Sequence, residues 1–283
     1  MFSFYTHNRM KKTLLLSAFV LITVTGLKAQ LKQSYNFLHP VPKERLREME
    51  TDRPDITESP VTTDAGHLQV ETDLYRLEKT HHETSLKTTQ LFNQANLKLG
   101  ITQSTAIQLV VQSYNLEKES SEDGLKHNHG FGDLTLRIKQ NLLGNDKGHF
   151  AIALLPYLKF PTASAQKDDK YEGGMIVPMS LKLGGEWKLG MQMELDRLQN
   201  EEGEGYHTQF LESLTLSHPL VKKLDAVAET YYTYDIQAHQ WNNFLNAALQ
   251  LEVAKDVKID GGLNYGIQHD AMKSYFLGLS FRL

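Results

Sequence analysis

From His67 to the last residue, apolar and polar residues alternate, and one set of alternate positions carries almost no charge. A period of two means strands, because successive side chains of a strand point to opposite faces. Twelve runs follow this period: 67–79, 84–99, 104–118, 132–143, 149–162, 174–184, 186–198, 206–218, 223–235, 241–254, 257–268 and 273–283. In the clearest of them, one face gathers residues such as Leu134, Leu136, Ile138 and Leu142, or Leu245, Leu249, Leu251 and Val253. The 37 positions collected in this way hold no charged residue. The opposite faces carry Asp133, Arg137, Lys139, Lys159, Lys182, Lys188, Glu194, Asp196, Glu252, Lys258, Asp260 and Arg282. A soluble sandwich also alternates, with its apolar face turned inward. A barrel in a bilayer turns that face outward, and there a Lys or Arg at the midplane costs about 2–4 kcal/mol.

Three further features favour the bilayer. The connections alternate between short turns, such as Gly100-Ile101-Thr102 and Lys255-Asp256, and longer polar loops, such as 119–131, 163–173 and 199–205. Outer-membrane barrels have this asymmetry, and an even strand number puts both barrel ends on the short-turn side. Aromatic residues lie near strand ends, at Tyr114, Tyr157, Phe160, Trp187, Tyr231, Tyr232, Tyr234, Trp241, Tyr265 and Tyr275, where interfacial girdles would sit. The last strand runs to the final residue. Its "GLSFRL" (278–283) resembles the C-terminal signal that hands outer-membrane barrels to the assembly machinery, although it ends in Leu rather than an aromatic residue.

The N-terminal end fits export. Lys11 and Lys12 precede an apolar stretch, 13–24, and Leu27-Lys28-Ala29 makes a cleavage box. Residues 1–29 are therefore expected to be a signal peptide with an upstream extension, and 30–66 a polar periplasmic or luminal segment. Residues 67–283 are expected to be an outer-membrane barrel. Loss of 1–29 removes four basic residues and no acidic ones, taking the net charge from −4 to −8. No other stretch has the length of apolar residues that a helical span requires. The chain has no cysteine, so disulfides and thiolate chemistry are excluded. Nor is there a basic face of the kind nucleic-acid binding demands. The fold expected is all-β, a transmembrane antiparallel up-and-down barrel of about twelve strands.

Just before the first strand stands "ETDRPDITESP" (50–60), with five charges and two prolines in eleven residues. It opens a block, 50–75, that is followed by "GFGDLTLRIKQNLLG" (130–144) and "ALLPYLKFPTA" (153–163). The blocks resemble, in content and order, the family described as putative MetA-pathway of phenol degradation. That resemblance implies an outer-membrane barrel related to transport. It supplies no substrate, cofactor or catalytic residue.

Pro54 and Pro60 restrict the residues before them to extended backbone. Arg53 can pair with Asp52, Asp55 or Glu58, or with wall residues Glu194, Asp196, Glu229 or Glu252. The segment is expected to pack at the periplasmic mouth or within the lumen, where Arg137, Lys139 and Lys159 also offer partners, since an unpaired buried charge is costly; the alternative is a flexible periplasmic leader.

Other chemistry is thinly supported. His81, His82, His127, His129, His239 and His269 fall in outer loops and His207 at a strand end beside them, without a spacing that fixes a three-ligand metal site. Ser120, Ser121, Glu122, Asp123 and His127 share a loop, but no G-x-S-x-G element accompanies them. "GFGDL" (130–134) lacks the helix a phosphate loop needs, and its glycines suit a tight bend. The function expected is passive passage of a small solute, apolar or aromatic, through an outer-membrane barrel that needs no cofactor or metal. A structural or binding barrel without flux is the alternative, and an outer-membrane hydrolase comes third. Membrane lipid, the assembly machinery and an unspecified small solute are the partners expected.

Overall fold

The computed structural model describes residues 35–81, 84–122, 124–164, 170–200 and 205–283. The expected leader, 1–29, lies outside the described residues. Thirteen strands are present among those described: β1 (Leu68–His81), β2 (Ser85–Gly100), β3 (Thr105–Ser121), β4 (Gly124–Gly130), β5 (Leu134–Leu143), β6 (Phe150–Phe160), β7 (Glu172–Lys182), β8 (Lys188–Gln199), β9 (Tyr206–Val221), β10 (Leu224–Asp235), β11 (Gln240–Ala254), β12 (Val257–Gly266) and β13 (Lys273–Arg282). All pairings are antiparallel between neighbours, and β1 pairs with β13 from Gln69↔Arg282 to Lys79↔Lys273, which closes the ring.

Twelve strands make that ring. The thirteenth, β4, falls where the sequence suggests a long loop. It pairs only with the far half of β3, Asn115–Ser121, while the near half, Thr105–Val111, pairs with β5. The hairpin therefore extends one side of the wall beyond the barrel. The polar residues of β4 break the apolar–polar alternation, so the polarity of 119–131 suggests loop, while pairing with β3 makes it a strand.

Both barrel ends lie on the short-turn side. The turns there include Lys222-Lys223 and Lys255-Asp256, with Lys223 at φ 73° and Asp256 at φ 60°. Each is a single left-handed residue beside a register shift, as in a type I turn closed by a β-bulge. On this side the Asp256 carboxylate also pairs with Arg282.

The interior is polar and the exterior apolar, the reverse of a soluble protein. Gln69, Glu71, Asp73, Lys98, Gln108, Lys139, Gln192, Glu229, Asn246 and Asp260 are buried, whereas Leu136, Met193, Leu245, Leu249, Leu263 and Leu277 are exposed. These are the faces the period of two separates. Two aromatics expected in the girdle turn inward instead. Tyr157 donates to Asp196 at 2.5 Å, and Tyr231 accepts from Asn264 at 2.6 Å. Position near a strand end does not fix a side chain's face; register does. No described helix is long and apolar enough to cross a membrane, which says nothing about crossing by strands.

Candidate functional site

Residues 35–66 enter the ring from the short-turn end. Phe37 N–H donates to the Ile101 carbonyl at the β2–β3 turn, and a 3₁₀ turn follows at Lys43–Arg45. The chain then crosses the lumen and returns, so that His67 contacts the Val41 main-chain oxygen at 2.7 Å and that of Leu283 at 3.0 Å.

Arg53 is the best-anchored residue of the crossing. Its guanidinium donates to Asp73 at 2.6 Å and grips both oxygens of Asp260 at 2.6 and 3.1 Å. The Asp260 carboxylate is fully buried. A guanidinium fork matched to a carboxylate gives both strength and orientation. Gly278 of β13 makes room for it, since a Cβ there would lie 2.0 Å from the guanidinium. None of the partners proposed for Arg53 from sequence is the one used. Asp52, Asp55 and Glu58 face other walls, Glu194 and Asp196 lie with Tyr157 and Gln192, and Glu229 holds backbone. Glu252 sits at the mouth, 3.9 Å from Lys223. The segment's path decides this, because it brings Arg53 to β1 and β12 rather than to β8 or β11.

The acidic residues of the segment meet cations on β2, β5 and β8. Asp52 Oδ1 accepts from Lys139 at 2.7 Å and from the Ser59 N–H at 2.8 Å, and Lys98 bridges Asp52 to Glu71. Glu58 pairs with Arg137 at 2.6 Å and with Lys139 at 3.3 Å. Glu50 pairs with Lys188. Glu71 also accepts from the Asp52 and Arg53 N–H groups at 3.0 and 3.2 Å.

Burial works against a charge on Asp52, but Lys139 and Lys98 outweigh it and hold the carboxyl well below its ordinary range. Burial works against the Arg53 charge too, yet Asp73 and Asp260 outweigh it and raise its pKa. Burial and then the neighbouring Asp52 push Glu58 up despite Lys139 and Arg137.

The third anchor is Glu229 of β10. It accepts from the Ile56 N–H at 2.9 Å, the Thr57 N–H at 2.8 Å, the Thr57 hydroxyl at 2.6 Å and Asn246 at 2.8 Å. Ile56 packs beside an apolar cluster on the inner wall, made by Leu211, Tyr231, Phe244 and Ala271. Tyr231 and Phe244 stack with centroids 4.5 Å apart. Burial, and then Glu229, push the Asp55 carboxyl well above its ordinary range.

Below this seat, towards the short-turn end, lies a cavity of about 560 Å³. Arg53, Asp55 and Thr57 of the segment form one side, and Lys188, Gln250 and Lys258 of the wall another. Its volume suits a small molecule. At the level of the crossing the lumen is filled, for Lys139, Gln108 and Gln192 are each 1% exposed.

Of the residues singled out from sequence, Asp52, Arg53, Glu58, Arg137, Lys139 and Glu229 come together here. Lys159 is elsewhere, near the long-loop end, pairing with Asp133 and Glu172. Glu71, Asp73, Lys98 and Asp260 complete the site. The first two stand on the polar face of "LQVETDLY" (68–75), so the alternation itself held the signal. Of the histidines, His81 and His269 come within 6.1 Å of each other, ring to ring. His127 and His129 share the outward face of β4, His129 beside Tyr114 at 6.4 Å. His207 lies 3.8 Å from Asp235, and among the described residues no three metal-ligating side chains gather. No serine hydroxyl bonds His127 among the described residues, and its pairing across β3 is with Lys118. His82 and Asp123 lie outside them.

The family model described as Putative MetA-pathway of phenol degradation matches residues 51–283. The chain belongs to that family. In this member the match begins at Thr51, so it takes in the luminal crossing as well as every strand. Among solved structures, the COG4313 outer membrane channel from Pseudomonas putida F1 is similar at a TM-score of 0.58 and 13% identity, over 83% of this chain and all of that one. The NanC porin follows at 0.49 and 11%, over 76% and 100% of the two chains. The KdgM porin in complex with disordered oligogalacturonate gives 0.47 and 9%, over 75% and 98%. Among curated proteins no sequence relative matches. The likeness to the Pseudomonas channel shows a shared barrel fold with this member of the phenol-degradation family.

Proposed function

We propose that this chain is an outer-membrane barrel through which a small solute crosses passively, with residues 46–64 as an internal segment that narrows the path. The observation that carries this reading is the seat of Arg53 between Asp73 and Asp260, together with the pairing of Asp52 and Glu58 to Lys98, Lys139 and Arg137 on β2 and β5. An apolar plug would be held by burial alone. A segment held by paired charges leaves polar groups of both signs along the path, which suits a narrow aqueous route with weak ion selectivity. The largely apolar exterior supports the bilayer, and the 560 Å³ cavity supplies an inner vestibule.

The family's name refers to phenol degradation, so a small aromatic is the first solute to try. The stacked Tyr231 and Phe244 near Ile56 offer such a solute an apolar contact. Planar-bilayer recording tests the proposal. Wild type should show small discrete conductance steps, and a chain lacking residues 35–64 larger ones. Silence from both forms would count against passage and favour a barrel without flux, a reading supported by the filled lumen around Lys139, Gln108 and Gln192.

A further inference from the structure

The outward wall has a dent with polar groups in it. Between β7 and β11 lies a hollow of about 420 Å³, lined by Met179, Met191, Met193 and Leu214 together with Glu212 and Tyr232. These residues take outward positions, while Gln192 and Ser213 between them are buried inward. The strands are paired without a gap at this level, through Gln192↔Ser213 and Ser213↔Tyr231, so the hollow is a depression in an intact wall.

Glu212 stands on the same outward face, opposite Met193 and Tyr232 in register. The Tyr232 hydroxyl donates to its carboxylate at 2.6 Å. A carboxylate beside hydrocarbon needs donors, and Tyr232 supplies one.

Towards the long-loop end cations lie on β8, at Arg197, and just before β7, at Lys170. Arg197 lies opposite Thr208 and donates to its hydroxyl at 3.0 Å. The Arg197 guanidinium lies 5.4 Å and the Lys170 ammonium 5.9 Å from the centroid of one ring, Tyr206. Two positive charges thus converge on one aromatic at the rim. At about 3.3 Å per residue, Arg197 is about 13 Å along the strand from Met193 in the hollow. From rim to midplane the order is cations, then a hollow that holds the Glu212 carboxylate level with Met193, with Met179, Met191 and Leu214 deeper in it.

We propose that this strip binds one glycolipid of the outer leaflet bearing phosphate and hydroxylated acyl chains. Its phosphate sits on Arg197 and Lys170, a chain fills the hollow, and the hydroxyl of that chain donates to Glu212. Arginine suits phosphate through its paired donors, and basic clusters beside membrane spans recognise lipid head groups. A glycerophospholipid offers the phosphate but no chain hydroxyl to answer Glu212. The proposal rests on the bilayer reading above.

Native mass spectrometry of the full barrel in mild detergent, with lipid A and phosphatidylethanolamine as separate probes, tests it. Wild type should retain one lipid A in preference to phosphatidylethanolamine. The double variant Lys170→Glu/Arg197→Glu should weaken lipid A roughly tenfold or more, the scale of losing a charge-assisted hydrogen bond, and should migrate as a folded barrel in heat-modifiability gels. Glu212→Leu should erase the preference for hydroxylated over unhydroxylated chains. Equal lipid A retention by wild type and the double variant, or equal retention of both probes by wild type, would overturn the site. If that happens in a protein that still inserts and conducts, the channel reading stands. A wild-type chain that is monomeric and folded without detergent would overturn both.

Discussion

Arg53→Ala is the sharpest perturbation of the luminal segment. Arg53 is the cation that Asp260 pairs with, through three hydrogen bonds shared between Asp73 and Asp260. Asp73 retains Arg76 at 2.8 Å after the change, whereas the fully buried Asp260 carboxylate is left without its ion pair. Removing one partner of a buried pair costs about 3–5 kcal/mol, and water entering the vacated site moves this towards the lower end. At about 1.4 kcal/mol per factor of ten, the ratio of displaced to seated segment should rise roughly a hundredfold or more. Two assays read this. Trypsin should cut faster at Arg45 and Arg47 in the detergent-solubilised barrel, and planar bilayers should show larger or longer openings. Arg53→Ala with Asp260→Asn removes the orphaned charge and should recover part of the loss, as expected of coupled neighbours. If Arg53→Ala leaves trypsin resistance and conductance as in wild type, the ion pairs do not hold the segment and the reasoning fails.

Further expectations follow from the same seat and wall. Gly278→Ala should mimic Arg53→Ala in the trypsin assay, because the added carbon takes the guanidinium's space. Lys139→Met removes the contacts of Lys139 to Asp52, Glu58 and the Ser59 carbonyl, and should also free the segment, by about 3 kcal/mol or more; unchanged proteolysis would contradict this. The pH response has a definite sign. Asp55 is pushed up in the folded state, so its contribution to seating is complete below the ordinary aspartate pKa of about 3.9 and is lost as pH rises through the raised value, whereas Asp52, held down, loses its contribution only as pH falls below that ordinary value. Asp55→Asn should flatten that trend in conductance against pH, and a trend that survives would assign it elsewhere. Leu249→Arg places a charge on the outward face of β11 and should lower the stability of the barrel in vesicles by about 2–4 kcal/mol, measured by urea unfolding followed through tryptophan fluorescence. No change there would mean that this face does not meet hydrocarbon.

The barrel was largely legible in the sequence because a strand has a strict period and a bilayer forbids charge on one face. Leu245, Leu249 and Leu251 point outward and Asn246 and Gln250 inward, as the alternation requires. Where the period was masked by loop-like polarity, as in 119–131, β4 was missed. Tyr157 and Tyr231 show the same limit, since closeness to a strand end says nothing of which face a ring takes.

For the luminal site, residue type was legible and pairing was not. The charges and prolines of "ETDRPDITESP" require a polar enclosure with partners, and the alternation supplied a wall with both signs. Choosing Asp73 and Asp260 for Arg53 needed the closure of β1 on β13, which brings residues about two hundred positions apart to one point. Local spacing carries no record of such a meeting. The sequence alone therefore determined that this chain has strands with one uncharged face and a polar segment seeking charge. Only the tertiary structure decided where that segment sits, because ion-pair partners are set by the distance between walls across the lumen, and that distance exists only once the ring has closed.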